Sequence, residues 1–164
     1  MTIRAFTPQD YSQIATIYHK SKLDELRFEE QTFTLLPLEE DEKRHQELME
    51  SAIYVYENDV SENGVNEEAQ NRILGYVALF NTKQENEIRA LFVDPTTRGQ
   101  GIGKKLFEFA LQQSHQQTTL YVAKSNTPAK SLYQAYGFTI TDEFLTEYNG
   151  VAVMANKMQL SKAA

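Results

Sequence analysis

The sequence predicts an α/β domain built on one mixed, mostly antiparallel sheet. Three observations predict it. Three apolar segments, 51–57, 72–80 and 87–93, follow one another with turn-forming or polar residues between them, the pattern of an antiparallel meander. A glycine-rich turn and an amphipathic stretch then lead to another apolar run, 118–123. That order places a strand parallel to the meander's last strand through a crossover. Two final apolar runs, 138–148 and 151–158, are joined by Asn149-Gly150, the most favoured pair for a tight hairpin.

Each element has its own local warrant. Thr2 to Phe6 alternates and reads as a first strand. Thr7-Pro8-Gln9-Asp10 starts a helix, with Thr7 as N-cap, proline at the first helical position and Asp10 reaching back. Tyr11, Ile14, Ile17 and Tyr18 recur at helical spacing on one face, which assigns them to the core. From Ser21 to Leu36, Phe28 and Phe33 stand among Asp24, Glu25, Glu29 and Glu30, and the reading is a second short helix and a loop. Leu38 to Met49 reads as a charged helix whose Glu39-Glu40-Asp41-Glu42 suits the positive end of its dipole. Asn58 to Asn71, polar and acidic with an Asn63-Gly64 pair, reads as a long, mobile hairpin connection, and Asn81 to Asn86 as a turn. Gly101 to Ser114 carries the stripe Ile102, Leu106, Phe109 and Ala110, widened by Phe107 and Leu111, so this helix packs hard on the sheet. In the short helix that follows, Thr127 is expected to cap, Pro128 to be the first residue and Gly137 to close the end in a left-handed conformation. No repeat or linker divides the chain, so residues 1–164 are expected to form a single domain.

Composition narrows the function classes. The 164 residues, 41% of them hydrophobic, suffice for one core. No apolar run approaches the ~20 residues of a membrane span. The N-terminal Met-Thr-Ile-Arg-Ala-Phe lacks a signal-peptide core, so a cytoplasmic protein without a membrane partner is expected. There is no cysteine, which excludes disulfides, thiolate metal sites and a cysteine nucleophile. His19, His45 and His115 show no ligand spacing, and no metal is expected. A net charge of −7 makes the chain a poor non-specific binder of nucleic acid.

The chemistry concentrates in Val93-Asp94-Pro95-Thr96-Thr97-Arg98-Gly99-Gln100-Gly101-Ile102-Gly103-Lys104-Lys105-Leu106. Glycines at alternate positions let a backbone approach a ligand closely, and the helix that follows adds unpaired N–H donors and the positive end of its dipole. The result is an anion site suited to phosphate or pyrophosphate, with Arg98, Lys104 and Lys105 beside it. The spacing rejects a Rossmann fingerprint, which needs glycine at Lys104. It also rejects a P-loop, which needs glycine at Arg98 and Ser or Thr at Lys105. Arg98-Gly99-Gln100-Gly101-Ile102-Gly103 resembles the acetyl-coenzyme A loop of the GCN5-related N-acetyltransferases (GNAT), (Arg/Gln)-x-x-Gly-x-(Gly/Ala). A second stretch, Asn126-Thr127-Pro128-Ala129-Lys130-Ser131-Leu132-Tyr133-Gln134-Ala135-Tyr136-Gly137-Phe138, resembles that family's Asn-x-x-Ala-x-x-Leu-Tyr-x-x-x-Gly-Phe. The resemblance is strong from Glu87 to Phe138 and weak before Arg72. It implies a mixed sheet with helices on both faces.

The same resemblance implies the residues of a site. Acetyl-coenzyme A is the expected cosubstrate, with Leu91, Phe92 and Val93 lining it mainly through main-chain groups. Arg98, Gly99, Gln100, Gly101, Ile102, Gly103 and Lys104 would hold its pyrophosphate, and Asn126 would contact it. Tyr133 is the expected general acid to the departing thiolate, and Tyr136 a packing residue. Glu87, six residues before Val93, is the candidate general base; the alternative is a solvated strand-end carboxylate paired with Arg89. Alternation puts Glu87, Arg89, Leu91 and Val93 on one strand face, and a strand distortion beside the site would open the gap for the coenzyme. Without a cysteine, direct transfer to an amine acceptor is expected. The acceptor itself is not readable, although Asp24, Glu25, Glu29 and Glu30 hint at a cationic amine. The other function class is a non-catalytic acyl-coenzyme A sensor, and the chain is expected to act as a monomer or homodimer.

Overall fold

The computed structural model describes residues 2–58 and 72–161. Most of the polar stretch read as a hairpin connection, 59–71, therefore lies outside the described residues. The elements are β1 (Thr2–Ala5), α1 (Tyr11–Glu25), α2 (Glu42–Met49), β2 (Ala52–Asn58), β3 (Arg72–Asn81), β4 (Glu85–Val93), α3 (Ile102–Gln112), β5 (Gln117–Ala123), α4 (Thr127–Ala135), β6 (Thr139–Tyr148) and β7 (Val151–Leu160). They form one seven-stranded sheet in the order β1-β2-β3-β4-β5-β7-β6. β1 to β4 pair antiparallel, β4 and β5 pair parallel, and β7 lies antiparallel to both β5 and β6.

Helices cover both faces, because β3 is apolar on both. Val77 and Leu79 look toward Ile102, Leu106, Phe107 and Ala110 of α3. Ile73, Tyr76 and Ala78 look toward Ile14, Ile17 and Tyr18 of α1 and Leu48 of α2. The expected final hairpin is present, with Asn149 and Gly150 both at positive φ (47° and 83°).

Several local expectations are corrected. There is no separate second helix after Ser21. α1 runs on to Glu25, since Ser21 is buried and continues its inner face, and a 3-10 turn at Leu26–Phe28 follows. The rest of that stretch folds over the sheet end, where Leu26 and Leu35 cluster with Val153, and Phe33 meets the Tyr148 ring edge-on at 6.4 Å. The charged helix is broken in two. Leu38–Glu40 is a 3-10 turn, and Asp41 starts α2 afresh by accepting the Arg44 N–H. β4 begins at Glu85, so the turn before it is shorter than read.

The first strand is fastened by charge. Asp10 accepts from both Nη atoms of Arg4 at 2.8 and 2.9 Å and from the Thr7 N–H at 2.8 Å. Arg4 Nε also donates to Glu57 of β2 at 2.8 Å. The Arg4 hydrogen bonds hold the Asp10 carboxyl below the usual carboxylate range, against the opposing effect of burial. A carboxyl depressed on folding adds stability above its unfolded pKa, and that stability is lost as pH falls through the folded value. Asp10→Asn should therefore lose about 2 kcal/mol near neutrality. At acid pH below the folded value, where the carboxyl is neutral in folded and unfolded chains alike, the loss should largely vanish. Urea midpoints at the two pH values check this; equal losses at both would show that the charge contributes nothing.

Candidate active site

The parallel pairing of β4 with β5 covers Glu85–Ile88 against Gln117–Leu120 and then stops. At the same point the register of β4 with β3 shifts: Ala90 faces Ala78 but Ile88 faces Leu79, so Arg89 is an extra residue, a bulge. Arg89 is anchored away from β5, donating to the Glu47 carbonyl at 2.9 Å and lying 3.8 Å over the Phe80 ring. Beyond it the two strands part, and a cavity of about 480 Å³ passes between them.

The bulge overturns the expected single-face stripe. Ile88 packs with the α3 cluster, Ala90 and Phe92 with the α1 cluster, and Leu91 and Val93 with α3 again. One extra residue inverts the alternation, so Glu87 and Arg89 do not share a face with Leu91 and Val93. Glu87 lies on the α2 side with Arg89, whose Nε is 3.4 Å from it. Tyr133 packs on the α3 side against Phe107, with ring centres 5.4 Å apart. Both line the one cavity, together with Leu91, Phe92 and Asn126.

The two candidate acid–base groups are tuned by their surroundings. Burial pushes the Tyr133 phenol up to about 12; Glu25 adds to the shift and Lys22 opposes it. The Tyr133 hydroxyl has no hydrogen-bond partner among the described residues. Burial likewise raises Glu87, and the Arg89 guanidinium only partly offsets this. Tyr136 points elsewhere, its hydroxyl donating to Glu108 at 3.2 Å, in keeping with a packing role.

The glycine-rich loop does not line the cavity but sits at the end of β4. Asp94 props it. Its carboxylate accepts from the Thr96 N–H at 3.0 Å, the Thr96 hydroxyl at 2.8 Å and Arg72 at 3.0 Å. Burial opposes the Asp94 charge, but these bonds outweigh it and hold the carboxyl below its ordinary range. Gly99 and Gly101 have φ of 82° and 77°, and a Cβ on either would meet nothing within 4 Å. Glycine is therefore required there by conformation, and the space above the loop is open to a ligand. The amides of Ile102, Gly103 and Lys104 precede the first internal bond of α3, Lys105 N–H to the Gly101 carbonyl at 3.1 Å. Arg98 is ion-paired with Asp24 of α1.

Two further corrections concern neighbours of the site. Asn126, not Thr127, caps α4: its side chain accepts the Ala129 N–H at 3.3 Å, and Thr127 is the first helical residue. The carboxylates read as a hint of a cationic acceptor are not free. Asp24 is shared by Arg27 and Arg98, Glu25 binds Lys22 at 2.9 Å, and Glu29 and Glu30 do not line the cavity. Sequence reasoning missed Lys22, Arg44, Tyr121, Phe144 and Tyr148, all of which line it. Lys22 follows Tyr18 by one helical turn, a spacing that was available as a signal; the others had none. Among the described residues no helix is long and apolar enough to cross a membrane, and no cluster of metal-ligating side chains is found.

A family model described as acetyltransferase (GNAT) domain matches residues 49–140, more than half of the chain. The chain is 38% identical over 75 residues to the peptidyl-lysine N-acetyltransferase YiaC of Escherichia coli, covering 46% of this chain and 49% of that protein. It is 50% identical over 52 residues to the peptidyl-lysine N-acetyltransferase YjaB of Salmonella typhimurium, covering 32% and 35%. The chain thus spans about half the length, or less, of these curated relatives. Among solved structures, Arabidopsis thaliana NAA60 in complex with a bisubstrate analogue has the same fold, with a TM-score of 0.71 at 15% identity over 99% of each chain.

The electrostatics of Glu87 can be checked directly. Its side-chain carboxyl, followed by NMR, should titrate above the usual glutamate value of about 4.3. Arg89→Met should raise it further, because the guanidinium is the main group holding it down. A fall in the variant would show that the guanidinium does not hold the carboxyl down.

Proposed function

The chain belongs to the GNAT acetyltransferase family, and from that premise we propose that it transfers an acetyl group from acetyl-coenzyme A to a primary amine. Transfer is direct, within a ternary complex. The observation that carries this reading is the cavity through the parted strands, with a protonated phenol on one side and a carboxylate on the other. An acyl donor held at the α3 face and an amine arriving from the α1–α2 face meet inside the sheet.

The residues divide the work. The open loop, Arg98 to Lys104, receives the pyrophosphate on its free N–H groups and the helix end. Val93, whose side chain would lie 3.5 Å from a Cβ on Gly103, sets the loop against the strand. Leu91 and Phe92 offer main-chain groups on an edge that β5 has left, which suits an N–H to the acyl oxygen. Asn126 orders the start of α4 and so aims Tyr133. The amine nitrogen attacks the thioester carbonyl, the new C–N bond forms and the C–S bond breaks. The Tyr133 hydroxyl gives its proton to the departing thiolate. With a pKa near 12, Tyr133 is fully protonated at neutral pH and ready to donate. Glu87 takes the proton the amine loses, directly or through water, and its raised pKa makes it a better base than an exposed carboxylate. The two curated relatives are named for peptidyl-lysine, which supports a lysine amine as the first acceptor to try.

Two experiments test the reading. Gly101→Val imposes a β-branched side chain on a left-handed backbone at the loop, and should abolish detectable coenzyme A binding in titration calorimetry. A folded variant with unchanged affinity would remove the loop from the site. The second uses a panel of amines, lysine peptides included, assayed for free thiol release from acetyl-coenzyme A. On any active acceptor, Tyr133→Phe should keep coenzyme affinity while the single-turnover rate drops by ~10²-fold or more. Tyr136→Phe serves as the control and should change little. A wild-type rate in Tyr133→Phe would return Tyr133 to the core, and silence across the whole panel would favour the sensor.

A further inference from the structure

α1 carries Lys22 into the cavity one turn beyond Tyr18. Its Nζ lies 2.9 Å from Glu25, 5.0 Å from the centre of the Phe92 ring and 5.3 Å from the centre of the Tyr148 ring. The side chain is only 16% exposed. A carboxylate beside two aromatic faces is an arrangement that binds an alkylammonium well. Here the chain's own ammonium fills it. Burial disfavours the Lys22 charge, but the Glu25 carboxylate beside it outweighs burial and keeps the amine charged.

The remaining charges offer a second cation little. Glu87 is matched by Arg89, and Asp24, on the same turn as Lys22, is shared by two arginines. Glu47 lines the cavity from α2 beside Lys43 and Arg44 of the same helix. Arg44 stacks on the Tyr148 ring at 4.2 Å, adding to the positive charge around that ring. An incoming ammonium beyond the reacting one would face Lys22 and Arg44, with Glu25 and Glu87 already matched by cations.

Resting on the acetyl-transfer reading, we propose that Lys22 is a specificity-determining residue. It occupies the ammonium box of Glu25, Phe92 and Tyr148, and so confines acceptors to those presenting one ammonium, such as a lysine side chain, and excludes polyamines. The box itself is a latent cation site, exposed when Lys22 is shortened.

The test removes the occupant. Lys22→Ala deletes a propylammonium-sized piece, so propylammonium and spermidine are titrated into wild-type and variant protein by calorimetry. The variant should bind both at least about tenfold more tightly than wild type. Adding Glu25→Gln should abolish the gain. Spermidine should support thiol release from acetyl-coenzyme A in Lys22→Ala and not in wild type. Equal spermidine affinity in the two proteins, or a folded Lys22→Ala blind to propylammonium, overturns the proposal. If the variant does not fold alone, propylammonium must restore its cooperative thermal transition, and failure to do so also overturns it. Wild-type protein that releases no thiol with any amine defeats the transfer reading, while the binding comparison still decides the box.

Discussion

The structure depends on one discontinuity, the bulge at Arg89 where β4 stops pairing with β5. A parallel pair continued to Val93 would seal the sheet and leave no route between its faces. The extra residue instead bends β4 away after four paired positions, and Arg89 is fastened to α2 and Phe80 so that the bend is held. The same residue inverts the alternation of side chains, which leaves Glu87 on one face and returns Leu91 and Val93 to the other. An opening, and the placing of Glu87 and Tyr133 on opposite sides of it, thus follow from a single insertion in the ladder.

The last turn of α1 is the second organising piece. Its first half is ordinary core, with Ile14, Ile17 and Tyr18 packed on β3 and β4. Its end serves the site. The Ser21 hydroxyl donates to the Val93 carbonyl at 2.9 Å, Lys22 enters the cavity, and Asp24 holds Arg98 of the loop. One helical turn therefore touches the strand end, the loop and the cavity, so a shift of that turn would be felt at all three. The chain carries a net charge of −7, yet the carboxylates nearest the cavity are largely matched by cations. Overall acidity is no guide to the charge a ligand meets inside.

The glycine loop and the Tyr133 helix were legible because their signals are local. Positive φ at Gly99 and Gly101, helix starts and the hairpin pair Asn149-Gly150 are dictated by residues within a few positions of one another. One error was itself local: Asn126 takes the cap from Thr127 because its side chain reaches the Ala129 N–H. Another arose where neighbours in sequence gave way to neighbours in space. Residues 29–37 took a fold over the end of β7 that no periodicity announces, since their apolar groups pack singly against Val153 and Tyr148.

By itself the sequence determined the order of the strands and helices, the glycine-rich loop ahead of α3 and the place of Tyr133 on α4, because periodicity, turn chemistry and helix ends act over a few residues. Only the tertiary structure decided where β4 leaves β5, which face Glu87 occupies and which charges are spent. A bulge has the same composition as the strand around it, and its position is set by what the other strands, α2 and Phe80 bind. The second partner of Asp24 is similarly set by folding, since Arg98 lies far along the chain from it, and so is the box of β4 and β6 rings around the local Lys22–Glu25 pair. Whether a carboxylate is available to a ligand is a property of the packed molecule, since a charge is free or matched only once its neighbours in space are fixed.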